Sequence, residues 1–416
     1  MRVLIAGQTF YPAYNGQAIF TTNLAEGLVK RGHEVLVIRP SLTGKPERNS
    51  RHGVQIEAIR SVPLNFLHPD VFYTPFPKNA IRSIFQDFKP NIIHIHDHYP
   101  ISQTVFRTAK KIGIKVVGTN HFMPENATPY LPWATKLKPI YDWLLWRWVF
   151  FLYNNLDIST APSKTAVSIV QKNGLKVPTY AISCGIDQDH FHFESNIDRE
   201  KWLLKYGLNP EKVTLIFVGR VDNEKRLDIL IQAFQQLKRS DIQLAIAGIG
   251  AARKDLEKLV NDLNIEDKIH FLGFVQEEDL PALLNSADIF TMPSEAELLS
   301  IATLEAMSCG LPIVAAQAGA LPELVTNGVN GYLFKAGDNT DAAIAISTLV
   351  NHPERWERMG QASAEKAQHH NLEYVVQRYE KLYESVLSKP VQSRKPTIVK
   401  RKPSTTKRIR NSTDTL

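Results

Sequence analysis

Polar and apolar positions alternate between two periods along this chain. Residues 3–7 (VLIAG) form a short apolar run; Phe20, Leu24 and Leu28 then recur at helical spacing before a second run at 34–39 (EVLVIR). The same succession returns with 92–96 (IIHIH), a helical stretch near 101–111, and 115–120 (KVVGTN). Short continuous apolar runs suit strands buried on both faces, and the amphipathic stretches between them suit crossover helices. The pattern predicts an α/β fold, a parallel sheet with helices on both faces. Because the N-terminal run is brief and ends at a turn signal, it reads as a first buried strand and not as a signal peptide.

The rhythm restarts at 213–220 (VTLIFVGR) and continues through 242–248, 268–274, 287–294 and 312–316. Two similar Rossmann-like, doubly wound domains joined near 180–210 are therefore expected. Residues 1–185 are expected to form the N-terminal domain and 186–371 the C-terminal domain. A helix at 372–388, with Leu372, Val375, Val376, Tyr379, Leu382 and Val386 in register, caps one domain or crosses back to the other. Ligands in such sheets bind beyond the strand C-termini, so the cleft between two domains is the expected site.

Composition agrees with two domains. The 416 residues are 44% hydrophobic and 22% charged, too long a chain for a single compact core. Cys184 and Cys309 are too far apart in sequence to suggest a metal motif, and two cysteines make no disulfide framework, which suits a reducing cytoplasm. No stretch has the ~18 uninterrupted apolar residues of a spanning helix. The net charge of +7 is concentrated in residues 389–416, which hold nine Lys or Arg and one acid. The rest of the chain is close to neutral. That basic, proline-containing tail is expected to be disordered, either simply solvated or binding anionic lipid. It lacks interleaved aromatics, so nucleic acid is not an expected partner.

Five segments carry candidate chemistry. In PSEAELLSIATLEAMSCGLPIVAA (293–316), Glu297 precedes and Glu305 lies within a helix whose N-cap would be Ser300. The first turn of such a helix attracts a diphosphate, and carboxylates on either side would accept from sugar and ribose hydroxyls. Spacing alone serves capping and helix solubility as readily. In FVGRVDNEKRLDILIQAF (217–234), Arg220 and Lys225 stand at a strand-to-helix crossing where two cations would neutralise a leaving diphosphate; a solvated charged turn is the alternative. Asn15-Gly16 permits close backbone approach to a ligand, and the absent G-x-G-x-x-G spacing argues against a dehydrogenase. His94, His96 and His98 alternate as on one strand face, which suits packing, strand-end hydrogen bonding or a metal; His121 follows a strand at the expected cleft edge, as a sugar-binding or a structural histidine. Residues 133–155 place Trp133, Trp143, Trp146 and Trp148 among Lys136, Lys138 and Arg147 up to Tyr153. This suits a membrane interface, while Leu144, Leu145, Trp148, Phe151 and Leu152 have the spacing of a buried helix.

With these segments in hand, the chain resembles the retaining glycosyltransferases of family 4, which have the two-domain GT-B fold. The resemblance runs to about residue 387. It rests above all on Glu297 and Glu305, which match the family's two glutamates eight residues apart, followed by LEAMSCGLPIVAA. Arg220 and Lys225 match the family's diphosphate-binding pair, Gly16 its N-terminal glycine loop, His121 its cleft histidine, and 183–187 (SCGID) its N-G-V-D linker segment. The chain departs from the pattern at Asn15 for a second glycine, at Cys184 for Asn, and at Leu298-Leu299-Ser300 for Gly-Phe-Gly. The 298–300 backbone should touch the sugar, so sugar specificity does not carry over.

The resemblance implies retaining transfer of a hexose from a UDP- or GDP-linked donor without metal or other cofactor. The acceptor hydroxyl would attack from the face the diphosphate leaves. His121 and Glu297 would act at the reacting sugar. Gly16, Arg220, Lys225, Leu298, Leu299, Ser300 and Glu305 would bind the donor, with 1–185 as the acceptor-side and 186–371 as the nucleotide-sugar-binding domain. The 133–153 segment and the basic tail add the expectation of a lipid or glycolipid acceptor and a peripheral, cytoplasmic-face location. Transfer to a soluble acceptor and a non-catalytic nucleotide-sugar-binding protein are the alternatives.

Overall fold

The computed structural model describes residues 1–12, 15–64, 72–124 and 138–388. The tail and Trp133, with the expectations placed on them, lie outside these residues. The first sheet contains β1 (Arg2–Ala6), β2 (Glu34–Pro40), β3 (Glu47–Arg51) and β4 (Val54–Ile59). A two-stranded ribbon follows, β5 (Val62–Pro63) and β6 (Phe72–Tyr73). The sheet then takes β7 (Ile92–Ile95), β8 (Lys115–Thr119), β9 (Ile158–Ala161) and β10 (Thr179–Ala181). Its order is β10-β9-β8-β7-β1-β2-β4-β3, parallel except where β3 pairs antiparallel with β4. The second sheet contains β11 (Val213–Val218), β12 (Ile242–Ala247), β13 (Ile269–Gly273), β14 (Ile289–Met292), β15 (Ile313–Ala316) and β16 (Gly331–Phe334). Its order is β13-β12-β11-β14-β15-β16, all parallel.

The continuous apolar runs are buried on both faces. In β1, Val3 and Ile5 face one core while Leu4 and Ala6 face another, built with Ile81, Phe85, Val105 and Val149. Strand order reverses between β1 and β7 in the first sheet and between β11 and β14 in the second. These reversals open a crevice at the strand C-termini, and each crevice contributes to the candidate site.

The last helix, Leu372–Leu387, leaves the second domain and packs on the first. Leu372 N–H donates to the Ile186 carbonyl at 2.9 Å, where the chain passes between domains. A Cβ on Gly27 would lie 2.5 Å from Val376, so only glycine lets this helix approach the helix Gly16–Lys30 so closely. Tyr383 Oη bonds His94 Nδ1 at 2.7 Å, and Glu380 pairs with Arg31 at 2.6 Å and His33 at 2.8 Å.

Two expectations from periodicity need correction. Only His94 of the three alternating histidines lies within β7; His96 and His98 follow its end. His94 and His96 pack 4.2 Å apart, whereas His98 packs against Phe122 and Trp148. In the helix Lys138–Tyr153 the buried stripe is Trp146, Val149, Phe150, Leu152 and Tyr153, and Leu144, Trp148 and Phe151 are exposed. So many positions of this helix are apolar that spacing alone could not choose its buried face.

Candidate active site

The second-domain half of the site grows from the two strands beside the reversal. β11 ends at Val218; Gly219, at φ +153°, then turns the chain, and Arg220 and Lys225 follow in the crossing to the helix Leu227–Leu237. β14 ends at Met292, and residues 293–300 lead into the helix Ile301–Ser308. The switch point thus places Lys225 against Glu297. Lys225 Nζ donates to Glu297 Oε1 at 2.6 Å, and both side chains are largely buried. Arg220 bonds Asp222 at 2.5 Å and also Glu224. Burial pushes the Glu224 carboxyl pKa up, against the opposing pull of Arg220 and Lys225.

Ser300 is the N-cap of the helix Ile301–Ser308. Its Oγ accepts from Thr303 N–H at 3.3 Å and from the Thr303 hydroxyl at 2.7 Å. The positive end of this helix dipole therefore faces the same crevice as Lys225 and Arg220. Glu305 lies inside the helix and is 8% exposed. Burial first, and the charge of Glu277 second, raise its pKa to about 7. The two leucines after Glu297 are both buried. Leu298 joins a small buried cluster with Met123, Ala161 and Ala166 of the first domain, and Leu299 belongs to the main core. Their side chains are committed to packing, which leaves the backbone of 298–300 as the surface available to a sugar.

Gly319 holds this loop. At φ +52° it lies so close that a Cβ would be 2.4 Å from the Glu297 carbonyl oxygen, to which Ala320 N–H donates at 2.8 Å. No motif in the sequence marked Gly319.

The first-domain half comes from β1, β7 and β8. Gly16 opens the helix Gly16–Lys30, capped by Asn15 through Ala18 N–H at 3.0 Å. A Cβ on Gly16 would lie 3.6 Å from Ile301 of the opposite domain, so the glycine loop meets the start of the Ile301–Ser308 helix. His121 follows β8. Its ring stacks on His96 at 5.5 Å, with Nε2 3.2 Å from His96 Nδ1, and it touches Phe20. Burial lowers the His121 pKa to about 3, so near neutral pH it is an uncharged hydrogen-bonding group. Asp97 follows the end of β7. The structure buries it as an acceptor from Gln8 N–H, from Tyr99 N–H at 3.0 Å and from the Ser102 hydroxyl at 2.7 Å. Among the described residues no group of three or more His, Cys, Asp or Glu side chains could hold a metal ion.

The crevice thus combines two cations, a helix N-terminus and two buried glutamates in one domain with a glycine loop and a neutral histidine in the other. Known proteins resemble this chain over both domains. Residues 14–190 match the family model described as Glycosyltransferase Family 4, and residues 198–366 that described as Glycosyl transferases group 1. An uncharacterized glycosyltransferase of Methanocaldococcus jannaschii is 30% identical over 76% of this chain and 80% of its own. The chain belongs to glycosyltransferase family 4. Sulfoquinovosyl transferase of Arabidopsis thaliana is 29% identical over 83% of this family 4 chain, and the match spans 66% of that relative's length. Alpha-monoglucosyldiacylglycerol synthase of Streptococcus pneumoniae is 25% identical, over 85% of this chain and 79% of its own. Among solved structures, Anabaena HepE in complex with UDP-glucose superposes with a TM-score of 0.74 at 20% identity, covering 92% of this chain and all of that one. The fold is accordingly GT-B: two Rossmann-like domains with a glycosyltransferase crevice between them.

Proposed function

We propose that this glycosyltransferase moves a hexose, with retention, from a UDP- or GDP-linked donor to a hydroxyl of a membrane lipid or glycolipid. The observation that carries the donor half is the buried Lys225–Glu297 pair at the β11–β14 reversal, one helix start away from Glu305. In this reading Arg220, Lys225 and the Ile301–Ser308 helix N-terminus compensate the leaving diphosphate, so the reaction needs no metal or other cofactor. Glu305 accepts from the ribose, and the backbone of 298–300 and Gly16 lies along the sugar and diphosphate. Glu297 and neutral His121 stand on opposite sides of the reacting sugar, and the leaving oxygen helps to take the acceptor's proton. The UDP-glucose of the Anabaena neighbour and the glycolipid in the name of the Streptococcus relative, a monoglucosyldiacylglycerol synthase, support this reading.

The lipid half rests on the helix Lys138–Tyr153. Its outer face exposes Ile140, Trp143, Leu144, Trp148 and Phe151, with Arg147 stacked over the Trp143 ring at 5.0 Å. Aromatics beside cations suit a headgroup boundary. No helix among the described residues is long and apolar enough to cross a membrane. Peripheral attachment at the cytoplasmic face, aided by the basic 389–416 segment, follows as the proposed location.

Two measurements test the two halves. In a thermal-shift panel of UDP-, GDP- and ADP-sugars, one nucleotide class should raise the melting temperature well above the others; no shift with any of them would sink the donor half. With anionic vesicles, the protein should co-sediment at low salt and release at about 0.5 M salt. The double variant Trp143→Ser, Phe151→Ser should lose most of that binding. Absence of binding by the wild type at low salt would remove the lipid half and favour a soluble acceptor.

A further inference from the structure

Side chains that the proposed chemistry does not use join the two domains beside Glu297. Glu323, in the short helix Leu321–Leu324 of the second domain, reaches the start of the first-domain helix Lys164–Lys172. Its carboxylate accepts from Lys164 N–H at 3.2 Å and from Thr165 N–H at 2.6 Å. The next N–H, that of Ala166, is taken by the N-cap hydroxyl of Ser163 at 3.0 Å. Two of the first three amides of this helix are thus capped by a negative charge from the other domain, the sign its dipole favours.

The capping residue is tied to the glutamate loop by a short path. Glu323 lies three residues beyond Ala320, whose N–H holds the Glu297 carbonyl, and four beyond Gly319, which packs on the Glu297 backbone. A second link starts on the other side of Glu297. Leu298 is buried in a small apolar cluster with Ala166, in the same helix start that Glu323 caps, and with Met123, two residues after His121. Glu297 is therefore bracketed by residues that grip one first-domain helix and the His121 loop. Capping amides exchange water for a carboxylate at modest net gain, which suits a contact made and released during turnover.

We propose that Glu323 and Leu298 are positioning residues that clamp the Glu297 loop onto the first domain, holding Glu297 and His121 in register across the crevice. The proposal rests on the assignment of Glu297 and His121 to the reaction.

Hydrogen exchange on the full-length chain tests it, because the readout needs no identified acceptor. In Glu323→Ala, peptides covering 163–172 should exchange at least about tenfold faster than in the wild type. Peptides covering 293–303, in the other domain, should also exchange faster, and Glu323→Gln should fall between. Leu298→Ala should accelerate 163–172 from the opposite side, and serves if Glu323→Ala folds poorly. With the donor selected by thermal shift, Glu323→Ala should lower kcat about tenfold, a larger factor than any rise in donor Kd, since Glu323 itself makes no donor contact. Unchanged exchange at 293–303 in Glu323→Ala, or at 163–172 in Leu298→Ala, would overturn the clamp. Coupled exchange with wild-type turnover would show that the clamp exists but contradict the placement of Glu297 at the reaction, and so overturn the positioning role.

Discussion

Lys225→Ala is expected to lower kcat/KM by about two to three orders of magnitude and to destabilise the fold as well. The kinetic loss follows from removing one preorganised charge beside a developing diphosphate, an effect of about 3–4 kcal/mol in comparable sites. The stability loss has a separate cause. Lys225 is the partner of Glu297 at 2.6 Å, and Glu297 is only 7% exposed. Removing one member of a buried pair strands the other charge, at a cost of about 3–5 kcal/mol. The double variant Lys225→Met, Glu297→Gln separates the two effects. Its melting temperature should return toward the wild type, because neither charge is left stranded, while its activity stays low. Recovery of activity along with stability would show that the pair is structural only.

Donor affinity is expected to rise with pH toward neutrality, and Glu305→Gln to abolish that dependence. The Glu305 carboxyl sits at about 7 in the folded chain against a usual 4.5, raised chiefly by burial. Between these values the folded state holds a proton that the unfolded chain has released, so stability falls as pH rises through this window. Above pH 7 the ionised, buried carboxylate costs the fold about 3 kcal/mol. Glu305→Gln should therefore melt close to the wild type near pH 4 and above it past pH 7. Ribose hydroxyls donate to the ionised carboxylate and favour it. Wild-type affinity for a nucleotide sugar should then climb by up to about tenfold per unit below pH 7 and level off above. Titration calorimetry in buffers of different ionisation enthalpy would show the released proton. A pH-independent affinity in the wild type would remove Glu305 from the ribose.

Much of the architecture was legible from hydrophobic runs, because parallel strands buried on both faces leave unbroken apolar segments such as those of β1 and β11. Most members of the candidate site were visible too, Gly319 excepted, but not their meeting. Lys225 and Glu297 are 72 residues apart, and only the strand-order reversal between β11 and β14 makes them neighbours. Ser300 was readable as an N-cap because capping is a local chemistry. Glu323 was not, because it caps a helix of the other domain 159 residues away. The outer face of the Lys138–Tyr153 helix also escaped periodicity, since a helix apolar nearly all round does not declare which side its neighbours cover.

The most direct test of the proposed donor site is the structure of the chain with the selected nucleotide sugar bound. The predicted result places the diphosphate within hydrogen-bond reach of Arg220, Lys225 and the N-terminus of the Ile301–Ser308 helix, the ribose on Glu305, and the sugar between Glu297 and His121. A nucleotide bound elsewhere, with the Lys225–Glu297 pair and Glu305 untouched, would contradict it.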